Sequence, residues 1–514
     1  MRGRGGIGRR WGLKILCHWR AGSSPAARTS IIRLVTGTFL ALSAMSCGRR
    51  ADVGPVVVSV IGTTPQVAGR DRSALSAGDR QLTDSLAEGL VRFDAVGQIE
   101  AGVAERWIVI DDGRSYIFRL RNAVWADGTP VRARDVVPLL RRQIAPAAEN
   151  RIASYLTAVA SVVEMTPEVI EIELARPRPD LLKLFAQPEM ALVRPGAAGG
   201  AGPFRRRDRT RDGILLTPAP DPDRDPDEEG PTPEQNVLLR GERAALAILR
   251  FVERHSDLVT GGTLDDWPIL QAANPAPANV RVDPAAGLYG LAVVRREGFL
   301  ADADNRGAIA QAIDRADLTG SVSADWPARE TVLPEQLDSG APPMVPVWAT
   351  LTPEQRPAAA RARVAAWRSV HGGAPIVRLA LPAGPGGTIL WGHLARDLYA
   401  VGVRPVRAAL DDPAADLRLI DLVAPYDNAR WYLAEACVAC SEDARAAIEA
   451  ARLADTLPER AAAAAAADRL LTQDVAFVPL ARPFRWSLVA LRLRQWQPNP
   501  RAWHSLNRLR TDPN

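Results

Sequence analysis

The sequence predicts an α/β protein with mixed sheets. Short β-branched runs alternate with helix-period segments along most of the chain, the pattern of strands feeding helices. The 514 residues, 47% apolar and 24% charged, are enough for a large core and more than one lobe. The spacing leaves strand order open.

GPVVVSVIG (54–62) has the density of a buried strand, and Asp79–Val91 reads as a helix with Leu82, Leu86 and Leu90 on one face. Trp107–Ile110 and Ser115–Leu120 read as strands joined across Asp111-Asp112-Gly113. Asp127-Gly128-Thr129-Pro130 is the next turn. Thr129 is the expected N-cap of a helix over Asp135–Gln143. Val169–Leu174 alternates as a strand, Asp180–Gln187 as a short helix, and the glycine-rich 196–202 is a candidate crossing between lobes. Residues 218–236 are proline-rich and acidic and read as a solvated loop. Later helices are expected over Ala244–Glu253, Asn305–Ala316, Ala358–Val370, Thr388–Val401, Asp443–Ala454 and the alanine-rich Pro458–Asp474. Strands are expected at Asp257–Thr260, Gly287–Val294, Ile376–Leu381 and Leu417–Val423.

The net charge of +5 is misleading. Residues 1–46 carry eight basic residues and no acid, which leaves the remainder at −3. A nucleic-acid binder needs a basic face on its folded part, and this balance does not supply one. Within 1–46, Arg28 and Arg33 precede the apolar run Leu34–Met45, too short to span a bilayer and suited to a signal segment. LSAMSC ends at Cys47 and resembles a lipoprotein cleavage box. Cys47 is the expected lipid-attachment residue, and an ordinary signal peptide cut nearby is the alternative. Residues 1–27 read as an extension from a misplaced start.

Chemistry-bearing motifs are sparse. Cys437 and Cys440 form a Cys-x-x-Cys that lacks the two further ligands a zinc site needs. In an oxidising compartment it reads as a small structural disulfide, with redox or metal use and free thiols as alternatives. His255, His371, His393 and His504 are not within metal-ligand spacing of one another. There is no GxSxG, HExxH or Walker loop, so no enzyme and no cofactor or metal is implied.

The segment Leu82–Val137 carries an ordered set of matches: Glu88-Gly89-Leu90, Gly97 to Trp107, Asp111-Asp112-Gly113 with Tyr116–Arg121, and Val124–Val131 with Asp135-Val136. It resembles the signature of the family of extracellular solute-binding proteins, family 5, which serve peptide, nickel and related ABC importers. Fainter matches follow in register at Leu174–Pro179, Gly202-Pro203-Phe204, Asp257–Val259, Ala308–Arg315 and Ala476–Leu480. The resemblance covers roughly residues 80–480.

The resemblance implies a two-lobed, periplasmic-binding-protein-like (type II) fold with a hinge and an extra accessory domain. The expected division is lobe I from 48–82, 195–288 and 484–514, an accessory domain over 83–194, and lobe II over 289–483. The implied protein is a monomeric periplasmic lipoprotein that touches the membrane only through its lipid. It would close on a peptide-like solute and deliver it to an inner-membrane ABC permease. A degenerate member working through an envelope partner is the alternative. Peptide-binding relatives anchor the peptide amino terminus on an aspartate after a strand of the second lobe. Here the strand is Leu417–Val423, Pro425 falls at the aspartate's position, and Asp427 follows two residues later. Asp427 is therefore either a substitute ammonium partner or a turn residue. Tyr426, Asp427, Tyr289, Trp267 and Trp431 are the candidate ligand-binding residues.

Overall fold

The computed structural model describes residues 54–510, apart from 198, 211, 221 and 223–230. Cys17, the run Leu34–Met45, Cys47 and nearly all of Asp221–Glu229 lie outside the described residues.

Four sheets carry the chain. The largest has seven strands, ordered Val280–Asp283, Arg485–Val489, Leu258–Thr263, Val56–Ile61, Val237–Glu242, Gly213–Pro218, Phe204–Thr210. Its centre, Val56–Ile61, runs parallel to both neighbours, while the outer pairs are antiparallel. The central strand is apolar almost throughout, as burial on both faces demands. A five-stranded sheet, Arg404–Ala408, Ile376–Ala380, Leu417–Val423, Gly287–Val293, Phe477–Ala481, is parallel over its first three strands and antiparallel over the rest. A four-stranded antiparallel sheet joins Ala104–Ile110, Ser115–Leu120, Val169–Leu174 and Val159–Thr166, and a two-stranded ribbon pairs Val91–Phe93 with Ile99–Ala101. Both large sheets mix parallel and antiparallel pairs, which bears out the expected fold class.

The hairpin at Asp111–Gly113 forms as its sequence indicates, with Asp111 and Asp112 both at φ 53°. Tyr116 and Phe118 are buried on one face of their strand, and Phe118 meets Phe185 edge-on. This core runs on without a break into the helices Ala429–Ala436, Glu442–Leu453 and Leu457–Asp474. The alanine-rich helix starts at a capping box of Thr456 and Glu459 and buries Ala464, Ala467 and Leu471. A second core packs the helix Pro385–Ala400 onto the five-stranded sheet through Leu390, Leu394 and Leu398.

Three elements differ from expectation. The first helix spans Ala77–Leu86 and stops short of Val91. Its final carbonyl, on Leu86, accepts hydrogen bonds from the amides of Gly200 and Gly202 at 2.8 and 3.2 Å, so the glycine crossing takes the place of a next turn. Thr129 caps no helix: its hydroxyl donates to Asp127 Oδ1 at 2.6 Å, inside the turn, and the helix begins at Ala133. The segment Asn305–Ala316 splits into Ala303–Ala312 and Arg315–Val322, because Asp314 accepts from the Asp317 amide and caps the second helix.

Candidate functional site

A cavity of about 280 Å³ lies where the sheets converge. The seven-stranded sheet contributes Val60, Thr260, Gly261 and Arg485, and the five-stranded sheet contributes Asp421 to Val423. Segments beside the four-stranded sheet add Arg151, Ile152, Tyr155, Gln187 and Glu189, and the tail adds Arg501 to His504. Trp503 supplies apolar wall, backed by the fully buried Phe93 and Trp431. An enclosed cleft with a few fixed polar groups is the usual form of a small-molecule site.

Each acid in this lining already has an arginine. Arg485 Nη1 stands 2.8 Å from Asp421 Oδ1 and 3.0 Å from Oδ2, joining the two large sheets. Burial raises the Asp421 carboxyl above its ordinary pKa, and Arg485 pulls it back. Glu189 takes a salt bridge from Arg80, which also donates to Gln187 Oε1 at 3.2 Å and lies 5.3 Å from the Trp503 ring.

The tail is held by Asn499, which is fully buried. Its side-chain amide donates to the carbonyls of Ala95 and Trp503, and its backbone amide donates to Asp283 Oδ1. Asp283 also meets His504 Nε2 at 3.1 Å. Ala502, on the cleft wall, adopts φ 47°, a conformation that non-glycine residues seldom take.

The five candidate residues are not brought together. Trp431 lines the cleft. Trp267 packs edge-on against Phe484 and Trp486. Tyr289 is buried against Trp326, its hydroxyl without a hydrogen-bond partner among the described residues and its pKa driven up by burial. Tyr426 is buried against Tyr155, away from the cleft lining. Asp427 sits behind the cleft, where Lys183 Nζ donates to it at 2.5 Å and Arg501 forms a second salt bridge. Burial opposes its charge, but Arg501 and Lys183 outweigh that and hold its pKa below the usual value. Pro425 lines the cleft, and its carbonyl accepts from Gln187 Nε2 at 2.7 Å. Cys437 and Cys440 are joined as a disulfide, Cα atoms 5.0 Å apart, at the end of the helix Ala429–Ala436 and remote from the cleft lining.

Sequence reasoning missed Arg80, Arg151, Glu189, Arg485, Arg501 and Trp503. Arg501-Ala502-Trp503-His504 was the one available signal, a tight cluster of cations and aromatics next to the turn-forming Pro498-Asn499-Pro500.

Comparison with known proteins agrees with the architecture. Residues 98–366 match the model described as bacterial extracellular solute-binding proteins, family 5, middle region. The periplasmic murein peptide-binding protein of Escherichia coli K12 is 26% identical over 281 residues, 48% of this chain and 51% of that protein. A probable deoxycholate-binding periplasmic protein of the same organism is 32% identical over 128 residues, 21% of this chain and 24% of that one. The chain thus matches about half, or less, of the length of these relatives. In three dimensions the Haemophilus influenzae oligopeptide-binding protein in complex with RPPGFSPFR superposes with a TM-score of 0.73 at 16% identity, over 89% of this chain and 99% of that one. The fold is therefore the two-lobed periplasmic-binding-protein fold, and with more than half of its length matched to the family model, the chain belongs to the bacterial extracellular solute-binding proteins, family 5.

Proposed function

We propose that this chain captures a small peptide-like solute in the cleft and delivers it to an ABC permease, held at the membrane by a lipid on Cys47. The seven-stranded sheet stands for lobe I, the five-stranded sheet for lobe II, and the smaller sheets for the accessory domain. The observation that carries the reading is the cleft's double origin: Arg485 and Asp421 reach it from different sheets, so hinge motion between those sheets would open and close it. Relatives of the chain are named as periplasmic binding proteins for murein peptides and oligopeptides. Trp503 supplies apolar contact, Trp431 is packed into the wall behind it, and Asp427 fixes Arg501 from behind. No catalytic role is proposed.

The test is thermal stability of the purified protein with peptides, bile acids, opines and nickel chelates, since a ligand that binds only the folded state raises the melting temperature. A clear shift with a peptide class is expected. No shift with any of them would favour a family member that works through an envelope partner, a reading that the loss of the aspartate at Pro425 supports.

A further inference from the structure

The cleft has more positive than negative charge. Arg80, Arg151, Arg485 and Arg501 line it, against Glu189 and Asp421. Glu189 is almost wholly buried, and its Oε2, which makes no hydrogen bond among the described residues, is shut off from the cavity surface. Asp421 is spent on Arg485, and Asp427 on Lys183 and Arg501. Arg151 is exposed, and its guanidinium has no side-chain partner among the described residues.

An incoming ammonium would need an accessible carboxylate oxygen not already matched to a cation. The Pro425 carbonyl, a backbone acceptor on the cleft wall, is taken by Gln187. A cation would also enter a site that is already positive and partly shielded from water, where like charges repel strongly. A carboxylate would instead neutralise the surplus and find donors suited to it, since a guanidinium grips a carboxylate through paired N–H groups.

We propose that the solute is an anion, a peptide-like acid without a free amino terminus, whose carboxylate is held by Arg151 at the cleft wall. This rests on the capture reading above and names the ligand class of the same site. Trp503, the partly exposed aromatic of the cleft wall, takes its apolar body.

The experiment uses four pools of the same mixed tripeptides, with free or acetylated amino termini and free or amidated carboxyl termini. Each is incubated with the purified protein, and the retained peptides are measured by mass spectrometry. The acetylated acids should be retained at least tenfold over the acetylated amides. Arg151→Ala should lose tenfold or more at unchanged melting temperature, Arg151→Lys should keep part of the retention, and added salt should weaken it. Equal retention of acids and amides overturns the proposal. So does preference for free-amine peptides that is abolished by Asp421→Asn. In both cases solute capture itself stands. Retention of no pool removes the peptide-like reading and this proposal with it.

Discussion

Arg485 and Asp421 meet at 2.8 Å although they belong to different sheets, one to Arg485–Val489 and the other to Leu417–Val423. Both side chains are less than a quarter exposed, so the pair is shielded well enough to matter. Burial leaves the Asp421 carboxyl above its ordinary pKa even with Arg485 beside it, so Arg485→Met, which strands that carboxylate, should cost about 2–4 kcal/mol in chemical denaturation at neutral pH. Replacing both together, with Asp421→Leu and Arg485→Met, should recover much of that loss. A double variant as unstable as the single one would show that the pair is not the source.

Asp84 gives a pH signature. It is buried in the helix Ala77–Leu86 and accepts from the Ser505 hydroxyl at 3.0 Å. Burial pushes its pKa up to about 6. Below about pH 4 the carboxyl is protonated in folded and unfolded chains alike. Between there and pH 6 the folded state keeps a proton that the unfolded chain has lost, so this group lowers stability as pH rises through the window. Asp84→Asn should therefore raise the melting temperature at pH 7.5 and give little gain at pH 4. An equal gain at both pH values would rule out ionisation as the cause.

Gly202 is a packing requirement. A Cβ there would stand 2.4 Å from the Ala87 amide nitrogen and 2.5 Å from the Leu86 carbonyl carbon. Gly202→Ala should destabilise the protein by about 2–3 kcal/mol in urea melts, by forcing the crossing off the end of the first helix. Gly128→Ala is the contrast: its Cβ meets nothing within 4 Å, and only its φ of 82° resists the change. It should cost about 1 kcal/mol.

The disulfide between Cys437 and Cys440 closes a very short loop. In chain-entropy terms such a loop stabilises by about 2 kcal/mol. Reduction, or the paired change of both cysteines to serine, should lower the melting temperature by several degrees at most and leave solute retention intact, since neither cysteine lines the cleft. Loss of retention on reduction would place this bridge within the binding machinery.

The alternation of strands and helices and the ordered segment Leu82–Val137 made the fold legible, because turns and strand faces are local features. Asp111–Gly113 had to turn and Tyr116 and Phe118 had to share a face. The arginine run at Arg205–Arg207 read as a strand edge and is one, but Val237–Glu242 was not legible as a strand, since it is defined by its neighbours rather than by pattern. The cleft was less legible still. Tyr289 and Trp267 were reasonable aromatics by type, yet their neighbours Trp326, Phe484 and Trp486 make them core. Arg80, Glu189 and Arg485 carry no local mark, because their meaning comes from partners more than 60 residues away.

Asn499 bonds the carbonyl of Ala95 across 404 positions, and the tail it holds forms one wall of the cleft. Closing so long a span is entropically costly and comes late in folding. Without residues 499–504 the cavity loses Arg501 and Trp503 and is open on that side. On the capture reading proposed above, a chain clipped before Asn499 is therefore expected to retain no solute.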